Sequence, residues 1–207
     1  MKVLVVGAAG KTGRAVVDRA KAAGHQVTAF VHDATGYDVP GVRVYAGDAA
    51  DPRAVDAAVA GQDAVIDTIG GRTPYKQTTL ETSAAKTIIG AMQRNDVRRL
   101  VVTSTIGEGD SVANTPFYDR ILLATLLRGA TPDKAAMEKE VEASGLEWII
   151  TRPAILTDKP ATGDVHVYRP DTGEKAHTIT RDDLAAFLVA QLTSDEHLRH
   201  AVTIANR

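Results

Sequence analysis

Residues Val3-Leu4-Val5-Val6-Gly7-Ala8-Ala9-Gly10-Lys11-Thr12-Gly13 decide the fold. An unbroken apolar run stops at a glycine, and glycine returns at positions 10 and 13, where a helical pattern begins. Continuous apolarity is what a parallel strand covered on both faces requires. In a strand-turn-helix of this kind the first glycine makes the tight turn. The second lets main chain approach a pyrophosphate, and the third lets helix and strand pack closely. The helix start then presents free N–H groups and a positive dipole end to the phosphates. The spacing is G-x-x-G-x-x-G. An ordinary strand-turn-helix without a ligand is the rival reading, and the strand-before, helix-after context weighs against it.

Outward from this turn, strand-like runs alternate with helical ones to about residue 150. Val3–Val6, Gln26–Val31, Val42–Tyr45, Ala64–Ile66, Leu100–Thr103 and Trp148–Thr151 read as strands. Leu80, Ala84, Ile88 and Met92 fall on one face of a helix. Gly24 suits the C-terminal cap of the first helix. This alternation predicts a doubly wound α/β fold, a parallel sheet with helices on both faces. Pro160, Gly163, Pro170 and Gly173 punctuate residues 159–178, which predicts a small hairpin excursion beside the sheet within a single 1–207 domain. Thr180 is a plausible N-cap with Asp183 three residues on. Leu184, Phe187, Leu188 and Leu192 form that helix's apolar face, and Ala201–Ile204 reads as a last strand.

Composition narrows the function. The 207 residues include no cysteine, so disulfides, thiolate catalysis and Cys-ligated zinc are excluded. A formal net charge of −2 points neither to nucleic acid nor to an anionic membrane surface. No apolar run nears the roughly 18 residues a membrane span needs, and Met1–Val6 is too short for a signal segment. A cytoplasmic protein is expected, and the lack of a spare apolar helix face leans towards a monomer. His25, His166, His177, His197 and His200 lack metal-ligand spacing, so no metal is expected. Glu138 and Glu140 read as a solvated charge run.

The order of the motifs carries a resemblance. The glycine turn is followed by Gly47-Asp48, Asp63-Ala64-Val65-Ile66 leading to Gly70, Val102-Thr103-Ser104, and Ser144-Gly145-Leu146-Glu147-Trp148 leading to Arg152-Pro153. This resembles an atypical short-chain dehydrogenase/reductase of the NAD(P)H-binding group. That group contains the flavin reductase/biliverdin-IXβ reductase branch and the NmrA-type redox-sensing regulators. The similarity is greatest to the reductase branch, which shares a Thr-Gly hairpin like Ala161-Thr162-Gly163. It implies a Rossmann fold holding a dinucleotide through Gly7, Ala9, Gly10, Lys11, Thr12 and Gly13, with Thr103 at the fifth strand.

The resemblance places His32 where the reductases carry the arginine that meets an NADP 2′-phosphate. Lys11 and Arg14 add positive charge nearby, so NADP(H) is expected ahead of NAD(H). Asp33 lies about 20 residues past the last glycine, as an NAD-selecting acid would, but the related reductases keep it too, and it reads as a loop or cap residue. Asp48, with Ala49 beside it, is implied to meet the adenine edge, or else Asp48 caps the helix before Pro52; Asp48 could also serve the ring while Asp51 caps. Ile69, Gly70 and Arg72 are implied to pass the ribose and pyrophosphate, with Arg72 on a phosphate or in water.

Orthodox members use Ser, Tyr and Lys, with Tyr and Lys spaced Y-x-x-x-K. Ser104 and Lys134 occupy the serine and lysine positions, but Ala130 stands where the tyrosine belongs. Tyr118 is too far upstream for the spacing, though it could enter the cleft. Lys134 shares a face with Met137 and Val141 and so aims at the body of the fold. It either serves the nicotinamide ribose or makes a surface pair with Glu138. Ser104 is either catalytic or a strand-end cap. Pro153 and Ile155 are implied to pack by the nicotinamide, and Thr105–Thr115 reads as a polar, mobile wall of an acceptor pocket. A site without tyrosine suits a flavin, quinone or similar conjugated acceptor, which delocalises the arriving charge. It equally permits a non-catalytic NADP(H) sensor of the NmrA type.

Overall fold

Val3, Leu4, Val5 and Val6 are all buried because helices cover both faces of the strand they form. The structure, a computed structural model, describes residues 1–70, 78–126 and 131–207. Val3 and Val5 of β1 (Lys2–Val6) pack with Val16, Val17 and Ala20 of α1 (Lys11–Ala22) and with Leu184 and Leu188 of α6 (Arg181–Ala190). Leu4 and Val6 face the other way. They meet Val55 and Val59 of α2 (Pro52–Val59), Ile88 and Met92 of α3 (Leu80–Arg94), and Met137 and Val141 of α5 (Thr131–Glu142), which follows α4 (Phe117–Leu126) in the chain. Side chains alternating across one strand thus feed two separate cores.

The remaining strands are β2 (Gln26–Val31), β3 (Arg43–Ala46), β4 (Ala64–Asp67), β5 (Arg99–Thr103), β6 (Glu147–Pro153), β7 (Ile155–Thr157), β8 (Val165–Tyr168), β9 (Thr178–Thr180) and β10 (Ala201–Asn206). They form an eight-stranded sheet in the order β3-β2-β1-β4-β5-β6-β10-β8, all parallel except β8. This is the doubly wound Rossmann-type arrangement the sequence predicts. The chain winds one way from β1 and the other way from β4. Ligands bind in such sheets where that direction reverses, outside the carboxyl ends of the strands.

Gly24 adopts a left-handed φ of 81° just past the end of α1 and donates to the Lys21 carbonyl. Thr180 caps α6, its Oγ accepting from the Asp183 amide at 3.0 Å. Ala84, Ile88 and Met92 are buried as the helical spacing requires, but Leu80 is not, because it lies in the first turn of α3 and is 39% exposed.

The 159–178 stretch differs from the expected hairpin. β8 pairs antiparallel with β10 and so extends the main sheet, while β7 and β9 pair parallel in a sheet of their own. Val165 and Val167 of β8 rest on the α1/α6 core, so burial draws the segment onto the sheet edge. Residues 105–115 also depart from the polar wall the composition suggests. Gly109–Asn114 is a short 3-10 turn. Ser111, Asn114 and Thr115 are buried there and bonded internally: Ser111 Oγ accepts from the Gly107 amide, and Asn114 Nδ2 donates to the Arg169 and Glu174 carbonyls.

Candidate active site

Two of the three glycines in the turn between β1 and α1 have no room for a side chain. Gly7 has φ 77°, and a Cβ there would lie 3.0 Å from the Thr68 carbonyl carbon. A Cβ on Gly13 would lie 2.2 Å from the Gly7 oxygen, so the third glycine is required for helix-to-strand contact. At Gly10 the nearest atom would be 3.3 Å away, so space there opens outward. Gly10 caps α1 without a side chain, and the first turn carries no acid. Asp51 and Thr180, by contrast, cap α2 and α6 through their side chains. Ala9, Gly10 and Lys11 are exposed and Thr12 half-buried. The start of α1 therefore faces outward with its dipole uncompensated, as an anion site needs.

On the β2 side, His32 is exposed just past the strand. Asp33 Oδ1 accepts from the Thr35 amide at 2.8 Å, and that bond holds its carboxyl below the usual range. It serves its own loop. Arg14 lies 4.8 Å over the Tyr37 ring with Nε donating to the Ala9 carbonyl. Lys11 Nζ meets Asp158 at 2.7 Å, an exposed pair that Arg181 shares. Asp48 is exposed and accepts from the Ala50 amide, while Asp51 caps α2, so the two carboxylates divide as the sequence allows. Ala49 is half-buried next to them. After β4, Ile69 is half-buried with its amide on Asp67 Oδ1 at 2.9 Å, and Gly70 is exposed. Arg72 and Ala130 lie outside the described residues.

The carboxyl ends of β4, β5 and β6 bring the chemistry together. Val65, Val102 and Ile150 face the α3/α5 core. By alternation Asp67, Ser104 and Arg152 project to that same face, one strand-end beside the next. Ser104 is 4% exposed and its Oγ has no hydrogen-bond partner among the described residues. Thr103, half-buried on the opposite face, also has an unpartnered hydroxyl. Pro153 is buried and Ile155 half-buried at the end of the next strand.

Lys134 aims inward, as its helical face requires, and its protein partner is not Glu138. Its Nζ lies 3.1 Å from Glu81 Oε2 in the first turn of α3. Glu138 is not solvated. It is buried and pairs with Arg152, Nη2 to Oε2 at 2.6 Å, while Asp110 takes the guanidinium's other end. Sequence spacing along α5 hides this, because both partners come from other elements. Tyr118 is 60% exposed, its hydroxyl 2.6 Å from His177 Nδ1.

Asp67 and Glu108 are buried acids that escaped the sequence reading. Asp67 ends an apolar strand, and burial pushes its carboxyl up to about 6. Glu108 follows β5. Burial, reinforced by repulsion from Glu138 and opposed by Arg152 and Lys134, pushes it up to about 7. An acid closing a run such as Ala64-Val65-Ile66-Asp67 was the available signal; nothing local marks Glu108. Among the described residues no cluster of potential metal ligands occurs, and no helix is long and apolar enough to cross a membrane.

Residues 7–195 match the family model described as NAD(P)H-binding. The chain belongs to this NAD(P)H-binding family. An uncharacterized chloroplastic protein of Arabidopsis thaliana is 28% identical over 219 residues, covering 100% of this chain and 77% of that one. An anaerobilin reductase from Escherichia coli O157:H7 superposes with a TM-score of 0.81 at 25% identity, covering 100% and 97% of the two chains. A short-chain dehydrogenase/reductase from Veillonella parvula, solved in complex with NADP, superposes at 0.83 with 16% identity over 99% and 94%. Both solved neighbours share the Rossmann-type fold with this chain.

Proposed function

We propose that this protein is an NADPH-dependent reductase that passes hydride to a flavin, quinone or similarly conjugated acceptor. The observation that carries the reading is the uncapped, acid-free start of α1, lying on the carboxyl side of the sheet that also holds the unpartnered Ser104 hydroxyl. The cradle fits a dinucleotide: Gly7 and Gly13 bring main chain into contact, and Gly10 leaves room for a diphosphate. When bound, the dinucleotide would supply the hydride.

The protein's own groups bind and orient. Gly10, Lys11, Thr12 and Gly13 offer amides to the diphosphate, with Ala9 at the rim. His32, Lys11 and Arg14 favour a 2′-phosphate, and Asp33 is turned into its loop, away from a ribose 2′-OH. Asp48 and Ala49 border the adenine, and Ile69, Gly70 and Arg72 the ribose and diphosphate. Thr103, Pro153 and Ile155 shape the nicotinamide end. Ser104 donates to the acceptor, and Lys134, fixed by Glu81, holds the ribose edge. With alanine at 130 in place of tyrosine, an acceptor that spreads its own charge is the substrate class that needs least help. We place the protein in the cytoplasm as a monomer.

NADPH oxidation followed with FMN, riboflavin and a soluble quinone tests the reading. Turnover with at least one is expected. Cofactor binding without turnover on any of them replaces the reductase by a sensor. Lys11→Ala should weaken NADP binding about tenfold relative to NAD, the loss of one charge-assisted phosphate contact. An unchanged NADP-to-NAD ratio in a titration would move the 2′-phosphate elsewhere.

A further inference from the structure

The carboxyl end of the sheet holds more buried acid than buried base. Asp67, Glu81, Glu108 and Glu138 are each at most 6% exposed. Against them stand Lys134 and Arg152. Each cation is already assigned: Lys134 to Glu81 at 3.1 Å, and Arg152 to Glu138 at 2.6 Å. Asp133, also buried, spends its carboxylate on the Glu81 and Thr82 amides and the Thr82 hydroxyl. Asp110, on the surface, takes the far side of Arg152. Among the described residues, Asp67 and Glu108 are left without a cation of their own. An isolated buried carboxylate takes up a proton instead of remaining charged.

The two differ in how they are bonded. Asp67 accepts from the Ile69 amide. Glu108 has one carboxyl oxygen, Oε1, that is buried with no hydrogen-bond partner. The Ser104 hydroxyl is likewise buried and unpartnered, in the same segment after β5. An acid that keeps its proton, with an unused oxygen, belongs where a proton is delivered.

We propose that Glu108 is the proton donor that completes reduction of the acceptor, taking the part the absent tyrosine would play. The inference rests on the reductase reading above. Hydride passes from the dinucleotide to the acceptor, which gains two electrons and becomes an anion. Where that anion is a quinone's, the Glu108 O–H bond breaks, its proton joins the anion, and the neutral hydroquinone leaves; a flavin's spreads its charge over the ring and leaves without this proton. Glu108 recovers its proton from water. The charged groups facing Glu108 are Glu81 from α3, Lys134 and Glu138 from α5, and Arg152 from β6. Burial and the nearby Glu138 keep the proton on Glu108 up to about pH 7.

The test compares acceptors that do and do not need this proton. A quinone reduced by hydride gives a hydroquinone anion that must be protonated. A flavin takes hydride on N5 and leaves as a stable hydroquinone anion. In the full chain, Glu108→Gln should lower quinone turnover at pH 6 at least tenfold. It should abolish the decline of that turnover as pH rises past about 7, leave FMN turnover within twofold, and leave NADPH affinity unchanged. Equal loss with both acceptors, or wild-type quinone turnover with its pH limb intact, overturns the proposal. A wild-type protein that turns over neither acceptor fails the reductase reading instead, and the proposal with it. Infrared spectroscopy of the unliganded wild type gives a readout independent of activity and of how the variant folds. A protonated-carboxyl band present at pH 6 and lost by pH 8 is expected in the wild type and again in Asp67→Asn, because Asp67 is itself pushed up to about 6; a band that vanishes with Asp67, or no band at all, overturns the proposal.

Discussion

Gly13 is the residue where sequence and geometry agree most tightly. With a Cβ position 2.2 Å from a backbone oxygen, Gly13→Ala must push α1 off β1 and should cost about 3 kcal/mol or more in denaturant unfolding. Gly10→Ala meets nothing closer than 3.3 Å, so its stability should stay within about 1 kcal/mol while dinucleotide affinity falls. A stable Gly13→Ala protein, or a Gly10→Ala protein with full affinity, would separate the turn from its assigned task. Glu108 sets a second expectation at this scale. Its ordinary value of 4.5 rises to about 7 in the folded chain. An acid shifted upward contributes stability that is complete below its unfolded value and is lost as pH rises through the folded one. Glu108→Gln should therefore raise Tm at pH 8 and leave it nearly level at pH 4, which thermal scans at both pH values would reveal. The three glycines were legible because each answers a local steric demand. Glu108 was not, since its burial depends on α3, α5 and β6 closing around it.

Among the elements, α6 is the best anchored. Burial alone would raise the Asp183 carboxyl, but bonds from the Thr162 and Gly163 amides and the Thr180 and Thr162 hydroxyls outweigh it and bring it to about 2. Asn206 Nδ2 donates to the same oxygen pair at 2.8 Å. One carboxylate thus fastens the 162–163 turn, the α6 start and β10. Asp183→Ala should cost about 2–4 kcal/mol, because several buried donors lose their acceptor together. This group's folded value lies below 3.8, so its contribution is present above that pH and drains away as pH falls towards 2. Unfolding curves that coincide for the wild type and Asp183→Ala at pH 7 would refute the anchoring. The Thr180 and Asp183 pairing could be read from their spacing, while the bonds to residues 162, 163 and 206 depend on tertiary closure. Helix α5 illustrates the converse. Spacing gave its inward face correctly through Met137 and Val141, but Lys134 and Glu138 chose partners on α3 and β6 and not each other.

Across the whole molecule, the winding of the parallel strands was legible because the apolar runs of β1, β2, β4, β5 and β6 are strands buried on both faces. The excursion was not, because an antiparallel strand lying on a sheet edge and a free hairpin share the same proline and glycine punctuation. That edge strand, β8, has β10 as its partner, and β10 in turn lies against β6. Deleting residues from 200 onward strips β6 and β8 of the neighbour they share. The shortened chain should collect in the insoluble fraction, and its recovery as a soluble, cooperatively unfolding species would contradict this topology. The order of synthesis matters for the same reason. An interior position is filled by Ala201–Asn206, a stretch made after every other strand. Until that stretch has been made, the nascent sheet carries an open seam, and only its arrival lets the two sides zip shut.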